Sequence, residues 1–230
     1  MKFKVLLVSI FFIFILLPGI SLAQNRVVVI PIDSGECNCD QIPTVTSAGQ
    51  VWMDRNLGAV RVAQSVDDYQ AYGWLYQWGR LADGHEDRGS GTTSDLSSGN
   101  VPGHDDFIIP ISSPWDWRSP QNDGLWHPGT GFNNPCPAGF RVPTLAEWET
   151  EWASWSSNDA AGAFASPLKL VAAGFRYRSD GVVYAAGSNG FYHSSTVNGI
   201  DAMYLYFSSA IASTGSSGRA GGRSVRCIKD

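Results

Sequence analysis

The sequence is poor in charged residues and, beyond its first few positions, almost free of lysine. Charged residues make up 16% of its 230 residues, whereas aromatic residues make up 12% and include nine tryptophans. This composition excludes intrinsic disorder, which requires high charge and few aromatic residues. Beyond residue 4 the lysines are Lys169 and Lys229 alone, and the net charge is −5. Without a basic block, the chain lacks the surface that nucleic acid or anionic lipid would need.

Sequence patterns that would identify an enzyme are missing as well. There is no Gly-x-Ser-x-Gly nucleophile elbow, and none of the four histidines, at positions 85, 104, 127 and 193, forms a His-Glu-x-x-His pair. Glu147, Glu149 and Glu151 step by two along a predicted helix, so neighbouring carboxylates face apart. We interpret them as a solvated helix face rather than as a glycosidase pair. A Ser-His-Asp set assembled by the fold stays open, but we expect a protein that is not an enzyme.

Long apolar runs are limited to one, at residues 5–17, which follows Lys2 and Lys4. Pro18 and Gly19 end the run, and small residues lead to Ala23, so the pattern predicts a signal peptide over residues 1–23. The run is too short to span a bilayer comfortably, and no cysteine for a lipid anchor follows directly. We therefore expect an exported chain, in the periplasm, at the cell surface or secreted. We expect no stable membrane insertion of the mature chain.

The mature chain divides into a leader or linker at residues 24–46 and one domain at residues 47–230. Residues 82–135 are irregular but rich in tryptophan, which predicts an ordered loop insertion. A capping box from Thr144 to Glu147 predicts a helix, whose row of tryptophans we assign to the core rather than to a sugar-stacking platform. Strand patterns follow, with a type I′ hairpin signal at Asp180-Gly181, a strand over residues 202–207 that is predicted to bury Met203, Leu205 and Phe207, and a final strand over residues 224–228.

The four cysteines allow three pairings, and export permits disulfides. Cys136 and Cys227 each lie in a strongly patterned segment, so we favour a bond between them. Cys37 and Cys39 lie in the leader, and whether they pair locally is left open by the sequence.

Four sequence blocks carry a resemblance to a known family. They are VWMDRNLGA at 51–59, YQWGR at 76–80, NPCPAGFRVPT at 134–144 and SVRC at 224–227. In this order they resemble the fibrobacter major paralogous domain of exported bacterial proteins, over residues 45–230. The third block is also similar to the helix start of formylglycine-generating-enzyme domains.

The resemblance implies an α+β, C-type-lectin-like fold with one or two helices on a small twisted antiparallel sheet and long irregular loops. The family has no settled activity to transfer, and the formylglycine-generating reaction needs a reactive cysteine pair near the C-terminus, where this chain has Cys227 alone. His193 and Arg223 stand where the family often has aromatic residues, which implies a variable surface there.

The C-terminal region is our predicted binding face. Residues 208–223 are almost all small and predict a long exposed loop between two strands. Aromatic faces and directional donors near it define the predicted ligand-binding residues: Tyr192, His193, Tyr204, Tyr206, Arg219 and Arg223. The opposing interpretation is a plain glycine-serine loop with structural tyrosines.

We expect a recognition or adhesion module that binds a surface glycan or a protein through these loops, with sequence diversification of the loops as a further hypothesis. The alternative is a structural subunit of a cell-surface assembly, in which a strand at residues 27–30 pairs with a neighbour's sheet edge. We expect no cofactor. A Ca²⁺ site among Asp83, His85, Glu86 and Asp87, near Asp105 and Asp106, is kept as a hypothesis against a solvated acidic loop.

Overall fold

A computed structural model describes residues 42–230, which contain two α-helices and thirteen short strands. The predicted signal peptide, Cys37, Cys39 and the strand predicted at 27–30 lie outside the described residues. The helices are α1 (Leu145–Ala153) and α2 (Ala160–Ala165). The strands are β1 (Thr44–Ser47), β2 (Gln50–Met53), β3 (Tyr76–Gln77), β4 (Thr92–Thr93), β5 (Phe107–Ile108), β6 (Phe140–Arg141), β7 (Phe175–Arg176), β8 (Val183–Tyr184), β9 (Gly190–Asn198), β10 (Asp201–Phe207), β11 (Ala212–Gly218), β12 (Gly222–Arg223) and β13 (Ile228–Lys229).

The strands form four small sheets. Three are antiparallel, in the orders β1-β2-β13-β6, β11-β10-β9 and β3-β12-β7-β8, and the fourth is the parallel pair β4-β5. Few helices on small antiparallel sheets, joined by long irregular segments, confirm the coarse α+β expectation. The first sheet begins at Thr44, three residues before the predicted domain boundary at 47, because Thr44 pairs with Met53.

Helix α1 begins as its sequence predicts. The Thr144 hydroxyl accepts from the Glu147 amide, and the Glu147 carboxylate accepts from the Thr144 amide, so both halves of the capping box are present. Trp148 is fully buried, and its ring centroid lies 4.9 Å from that of Trp52 on β2. Trp152 and Trp155 pack at the edge of the same core cluster, which supports the core assignment for this row.

One of the three acids on this helix is not solvated, contrary to our expectation. Glu151 is fully buried, and its Oε1 accepts from the Trp155 indole at 3.2 Å. The physical reason is helical phase, because Glu151 lies three residues after the buried Trp148 and therefore on the same face. Glu149 is exposed, as a solvated face requires, whereas Glu147 is half-buried and accepts hydrogen bonds from Arg141 and the Thr144 amide.

A disulfide and hydrogen-bonded, buried tryptophans hold the interior together. Cys136 and Cys227 are bonded across a separation of 91 residues, which confirms the favoured pairing. In the irregular region 82–135, Trp117 donates to the Trp78 carbonyl at 2.7 Å and Trp126 donates to the Asn133 carbonyl at 2.8 Å. Aromatic packing with satisfied N–H groups therefore orders this long segment.

The C-terminal region differs from its prediction. Residues 212–218 form strand β11 and pair with β10 along seven positions, and residues 222–223 form β12, so the predicted loop is wrong over these two segments. Its small residues fit because a Cβ at Gly215 would lie 2.7 Å from the Tyr204 ring. On β10 the core side chains are Ala202, Leu205 and Phe207, because a register shift between Ala202 and Tyr204 interrupts the alternation predicted from Met203.

The final strand, predicted over 224–228, is also shorter than expected. Pairing occurs at β12 and β13, and the residues between them run through the interior with buried side chains.

Within residues 42–230, no helix is long and apolar enough to cross a membrane.

Candidate binding face

Six aromatic side chains from four strands and their flanks form one cluster that we name the aromatic face. Its members are Phe175, Tyr177, Tyr184, Phe191, Tyr204 and Tyr206. Tyr184 is 44% exposed and Tyr177 is 36% exposed, and the other four are half-buried. Neighbouring ring centroids lie 4.8–6.1 Å apart, the range of favourable aromatic pairs.

Strand pairing places these rings on the same side. Phe175 pairs with Tyr184 across the β7–β8 hairpin, and Tyr206 pairs with Phe191 across β10 and β9. Cross-strand partners project from the same face of a sheet, so each pair brings its two rings into contact, at centroid distances of 6.0 and 5.0 Å. Phe175 then contacts Phe191, with ring centroids 4.8 Å apart, and joins the two sheets.

The hairpin forms at the predicted place, but its loop has four residues instead of the type I′ turn that Asp180-Gly181 indicates, because the Tyr177 amide donates to the Val182 carbonyl. Asp180 accepts from the Val182 amide at 2.9 Å, and Gly181 adopts a φ of +68° that favours glycine. The Arg176 side chain donates to the Gly181 carbonyl at 2.7 Å from inside the turn. The rings of the aromatic face therefore stand on an ordered support rather than on a mobile loop.

A small cavity of about 140 Å³ opens beside the aromatic face, and we name it the arginine pocket. Its lining includes the side chains of Arg176, Arg178 and Arg223 and the rings of Tyr177 and Tyr204, and it includes no acidic residue. The Arg223 guanidinium carbon lies 4.2 Å from the Tyr204 ring centroid, and that of Arg178 lies 5.1 Å from the Trp115 ring centroid. The pocket therefore gathers positive charge between aromatic surfaces.

Arg223 and Arg176 are buried, with 5% and 2% of their surface exposed, and Arg178 is half-buried. Burial lowers the pKa of Arg223 to about 10, against the raising influence of Tyr204 and of Asp201 at a distance. It therefore stays charged at neutral pH. Burial also lowers the pKa of Arg176, whose guanidinium donates to the carbonyls of Asp87 and Ser90.

The predicted ligand-binding residues separate into two groups. Tyr204, Tyr206 and Arg223 lie at the aromatic face and its pocket. Tyr192, His193 and Arg219 are buried away from solvent, so the prediction that their side chains present a ligand surface does not agree with this structure.

Each of the three buried residues has a structural partner. The Tyr192 hydroxyl donates to the Val171 carbonyl at 3.0 Å. His193 Nε2 lies 2.9 Å from the Tyr76 carbonyl, and burial holds the pKa of His193 well below its ordinary value, so the ring is neutral. Arg219 donates to Asp123 at 2.5 Å. The sequence pattern could not separate them from the face residues, because Tyr192 and His193 are adjacent on β9 and both are buried, against the alternation of a strand with one solvated side.

Four members of the face were not predicted as site residues: Phe175, Tyr177, Tyr184 and Phe191. The alternation of Phe175 and Tyr177 with two arginines, followed by the hairpin signal, was the available indication. What the sequence did not contain was the contact between this hairpin and β9, which depends on the pairing of Gly174 with Gly190.

A larger cavity of about 530 Å³ lies elsewhere, beside Trp74. Tyr69, Trp74 and Arg88 line it, and Tyr69 is 74% exposed. The Trp74 ring fits against Gly58, where a Cβ would lie 2.2 Å from the indole. The density of aromatic residues between positions 69 and 78 was its only sign in the sequence. The cavity is open to solvent, and the Arg88 guanidinium in its lining donates to the carbonyls of Gly73 and Ala173, so it is a secondary candidate.

The predicted Ca²⁺ cluster has a tight geometry but an unsuitable donor set. Potential ligand atoms of Asp83, His85 and Glu86 lie within 4.8 Å of one another. His85 Nε2 accepts from the Gln77 amide at 3.0 Å, so its Nδ1 carries the proton and donates to Asp83 at 2.6 Å. Arg80 also donates to the Asp83 carboxylate, at 2.8 Å. Ca²⁺ takes six to eight oxygen ligands, whereas these groups already bind one another.

The electrostatics of this cluster agree with a structural role. Burial lowers the pKa of His85 to about 4, so the ring is neutral at pH 7. Burial alone would raise the pKa of Asp83, but the bonds from His85 and Arg80 outweigh it and lower that pKa. Ca²⁺ binding stays a prediction, and calorimetry with added Ca²⁺ tests it.

Comparison with protein-family models, with curated proteins and with solved structures finds no match for this chain.

Proposed function

We propose that this chain is an exported recognition domain that binds a surface glycan or a protein ligand through the aromatic face. We further propose a C-type-lectin-like fold, membership of the fibrobacter major paralogous domain family, and a role without catalysis. The four ordered sequence blocks support the family and the fold. The observation that carries the function is the aromatic face, a contiguous set of partly exposed rings on paired strands.

Physical chemistry favours binding by such a face. Large exposed aromatic patches on single domains mark interaction sites, and tyrosine supplies contact area with little conformational entropy to lose. Aromatic rings also stack on the apolar faces of sugars. Paired strands hold the rings in fixed positions, so little ordering is required on binding.

The test is a glycan array and a cell-surface pull-down with the mature chain. The double variant Tyr177→Ala/Tyr184→Ala removes the two most exposed rings of the face, and Phe132→Ala removes a ring that is 74% exposed outside it. We expect the double variant to lose at least tenfold in affinity, which corresponds to about 1.4 kcal/mol, while Phe132→Ala binds like the parent chain. Equal binding by the parent chain and the folded double variant would contradict the proposal.

The alternative of a surface-assembly subunit has support in the sheet order. Strand β1 lies at an edge of its sheet and pairs with β2 alone, so a free edge is present there among the described strands. An exposed edge can accept a strand from another chain. Deleting residues 24–41 leaves β1 intact. Loss of self-association in this variant, with ligand binding absent from both chains, would favour the assembly subunit over the recognition domain.

A further inference from the structure

We propose that the arginine pocket binds the carboxylate of an acidic sugar, so that the ligand of the aromatic face is a glycan containing uronic or similar acidic residues. This inference rests on the proposed function and names its ligand class. It is carried by a buried cation without a carboxylate partner, in a cavity that opens beside sugar-stacking rings.

The lining of the arginine pocket has an excess of positive charge. Arg176, Arg178 and Arg223 line one cavity with no acidic residue, and within residues 42–230 none of the three forms an ion pair. Asp201 acts on Arg223 only at a distance, and its carboxylate accepts from the Ser216 hydroxyl at 3.3 Å. Buried charges in proteins are normally paired, because removing an ion from water carries a large free-energy penalty.

The three guanidinium groups differ in how many of their N–H donors have an acceptor. In the described part of the chain, the Nε atoms of Arg178 and Arg223 are buried without a hydrogen-bond partner. Arg223 Nη1 donates to the Gly221 carbonyl at 3.5 Å, the limit of a hydrogen bond, and Arg178 Nη1 donates to the Ser217 hydroxyl at 3.2 Å. Arg176, in contrast, is fully engaged by backbone oxygens and the Ser90 hydroxyl. Arg178 and Arg223 therefore have donors to offer.

Neighbouring rings hold the guanidinium groups of Arg223 and Arg178 in place before a ligand binds. Tyr204 stacks on the Arg223 guanidinium and Trp115 stacks near that of Arg178, at 4.2 and 5.1 Å. Stacking fixes the plane of a guanidinium and leaves its N–H edge free. A free N–H edge is the geometry that binds a carboxylate through two parallel hydrogen bonds.

The volume of the arginine pocket limits how much of a ligand it can enclose. A cavity of about 140 Å³ is well below the roughly 300–1,000 Å³ of pockets that enclose a whole small molecule. It suits a single charged group, while the rest of the ligand stays outside. Tyr177 belongs both to this pocket and to the exposed part of the aromatic face, so a sugar ring bearing the carboxylate would lie on the tyrosine rings.

The experiment titrates the ¹⁵N-labelled mature chain with glucuronate, glucose, acetate and a short glutamate peptide. The readout is the side-chain Nε–H resonances, assigned with the variants Arg178→Gln and Arg223→Gln. We expect glucuronate to shift the Arg178 and Arg223 resonances and to bind about tenfold or more tightly than glucose, because charge-assisted hydrogen bonds favour the anion. Arg178→Gln should lose this preference. Arg61→Gln, which removes a partly exposed guanidinium that pairs with Asp68 outside the pocket, should keep it.

The outcomes separate this inference from the proposed function. Glucose and glucuronate binding equally at the aromatic face, with unchanged arginine resonances, would overturn the acidic ligand and leave the recognition domain standing. Acetate or the glutamate peptide binding as tightly as glucuronate would overturn the sugar as ligand class. No response to any probe, together with an array that shows no binding, would count against both. If Arg223→Gln fails to fold, the half-buried Arg178 still supplies the variant test.

Discussion

Buried tryptophans in the interior and tyrosines on the aromatic face use their polar atoms differently. Four buried indoles donate to backbone carbonyls: Trp78 to Ser194, Trp117 to Trp78, Trp126 to Asn133 and Trp148 to His193. On the face, Tyr177 and Tyr204 have no hydroxyl partner among the described residues, whereas Tyr184 donates to Asp180 and Tyr206 accepts from the Asn189 side-chain amide. The interior thus satisfies most of its indole N–H groups internally, although Trp52 is an exception, and the face leaves polar capacity open.

The buried arginines also differ in whether their guanidinium groups have partners within the protein. Arg80 is paired with Asp83, Arg219 with Asp123, and Arg226 is bonded to the Asn56 side chain and to the Leu168 carbonyl. Arg223 is comparably enclosed and has no such partner. Arg219 also has buried nitrogens without a hydrogen-bond partner, but it has acidic partners, whereas within residues 42–230 Arg223 forms no ion pair and lies beside a cavity. The comparison indicates where a ligand would add stability.

The largest expected effect comes from the disulfide that closes the interior. Replacing Cys136 and Cys227 by alanine releases a 91-residue loop, and the chain-entropy model gives a loss of about 4–5 kcal/mol in the free energy of unfolding. Urea unfolding of the parent and double variant measures it. The aromatic face should be lost together with the interior, because its strands also carry core residues such as Leu205. Binding by an unfolded variant would show that the face is independent.

A second prediction concerns two arginines that share burial but not partners. Arg226→Met removes the donors to Asn56 Oδ1 and to two backbone carbonyls, so we expect a loss of about 3 kcal/mol in the free energy of unfolding. Arg223→Met removes a buried charge that lacks a carboxylate partner, and we expect no loss or a gain of about 1 kcal/mol. Urea titrations of both variants measure these changes.

The matched pair controls for size, because both variants make the same substitution at buried positions. Equal destabilisation by Arg223→Met and Arg226→Met would contradict the distinction between them. It would mean that Arg223 has a structural role of the same kind as Arg226.

The sequence predicted local structure well where one segment contains all its determinants. The Thr144–Glu147 capping box and the Asp180-Gly181 hairpin are examples, since their hydrogen bonds join residues two or three apart. The candidate site was predicted only in part, because it depends on long-range pairing. The burial of Tyr192 follows from its register with Leu205, and the small residues of β11 fit beneath Tyr204. Composition alone made the same residues resemble an open loop.

Acidification is expected to weaken the interior without discharging the arginine pocket. His85 is neutral and saturated by Gln77 and Asp83, and its pKa is lowered to about 4 by burial, against 6.5 when unfolded. The unfolded chain therefore binds more protons between these values, so this contribution to stability is complete above pH 6.5 and is lost as pH falls toward 4. Between pH 7.5 and pH 5 we expect a loss of about 2 kcal/mol from His85. His193, also buried and neutral, acts in the same direction.

Urea unfolding at the two pH values measures this loss, and His85→Gln should reduce the difference by about 2 kcal/mol, whereas His104→Gln, at a partly exposed position, should leave it unchanged. The arginines of the pocket remain charged across this range, since even the lowered pKa of Arg223 lies near 10. The same pH change therefore separates the two kinds of buried group: it disturbs the saturated interior network and leaves the cations beside the aromatic face as they were. A stability independent of pH between 7.5 and 5 would contradict the neutral, fully bonded His85.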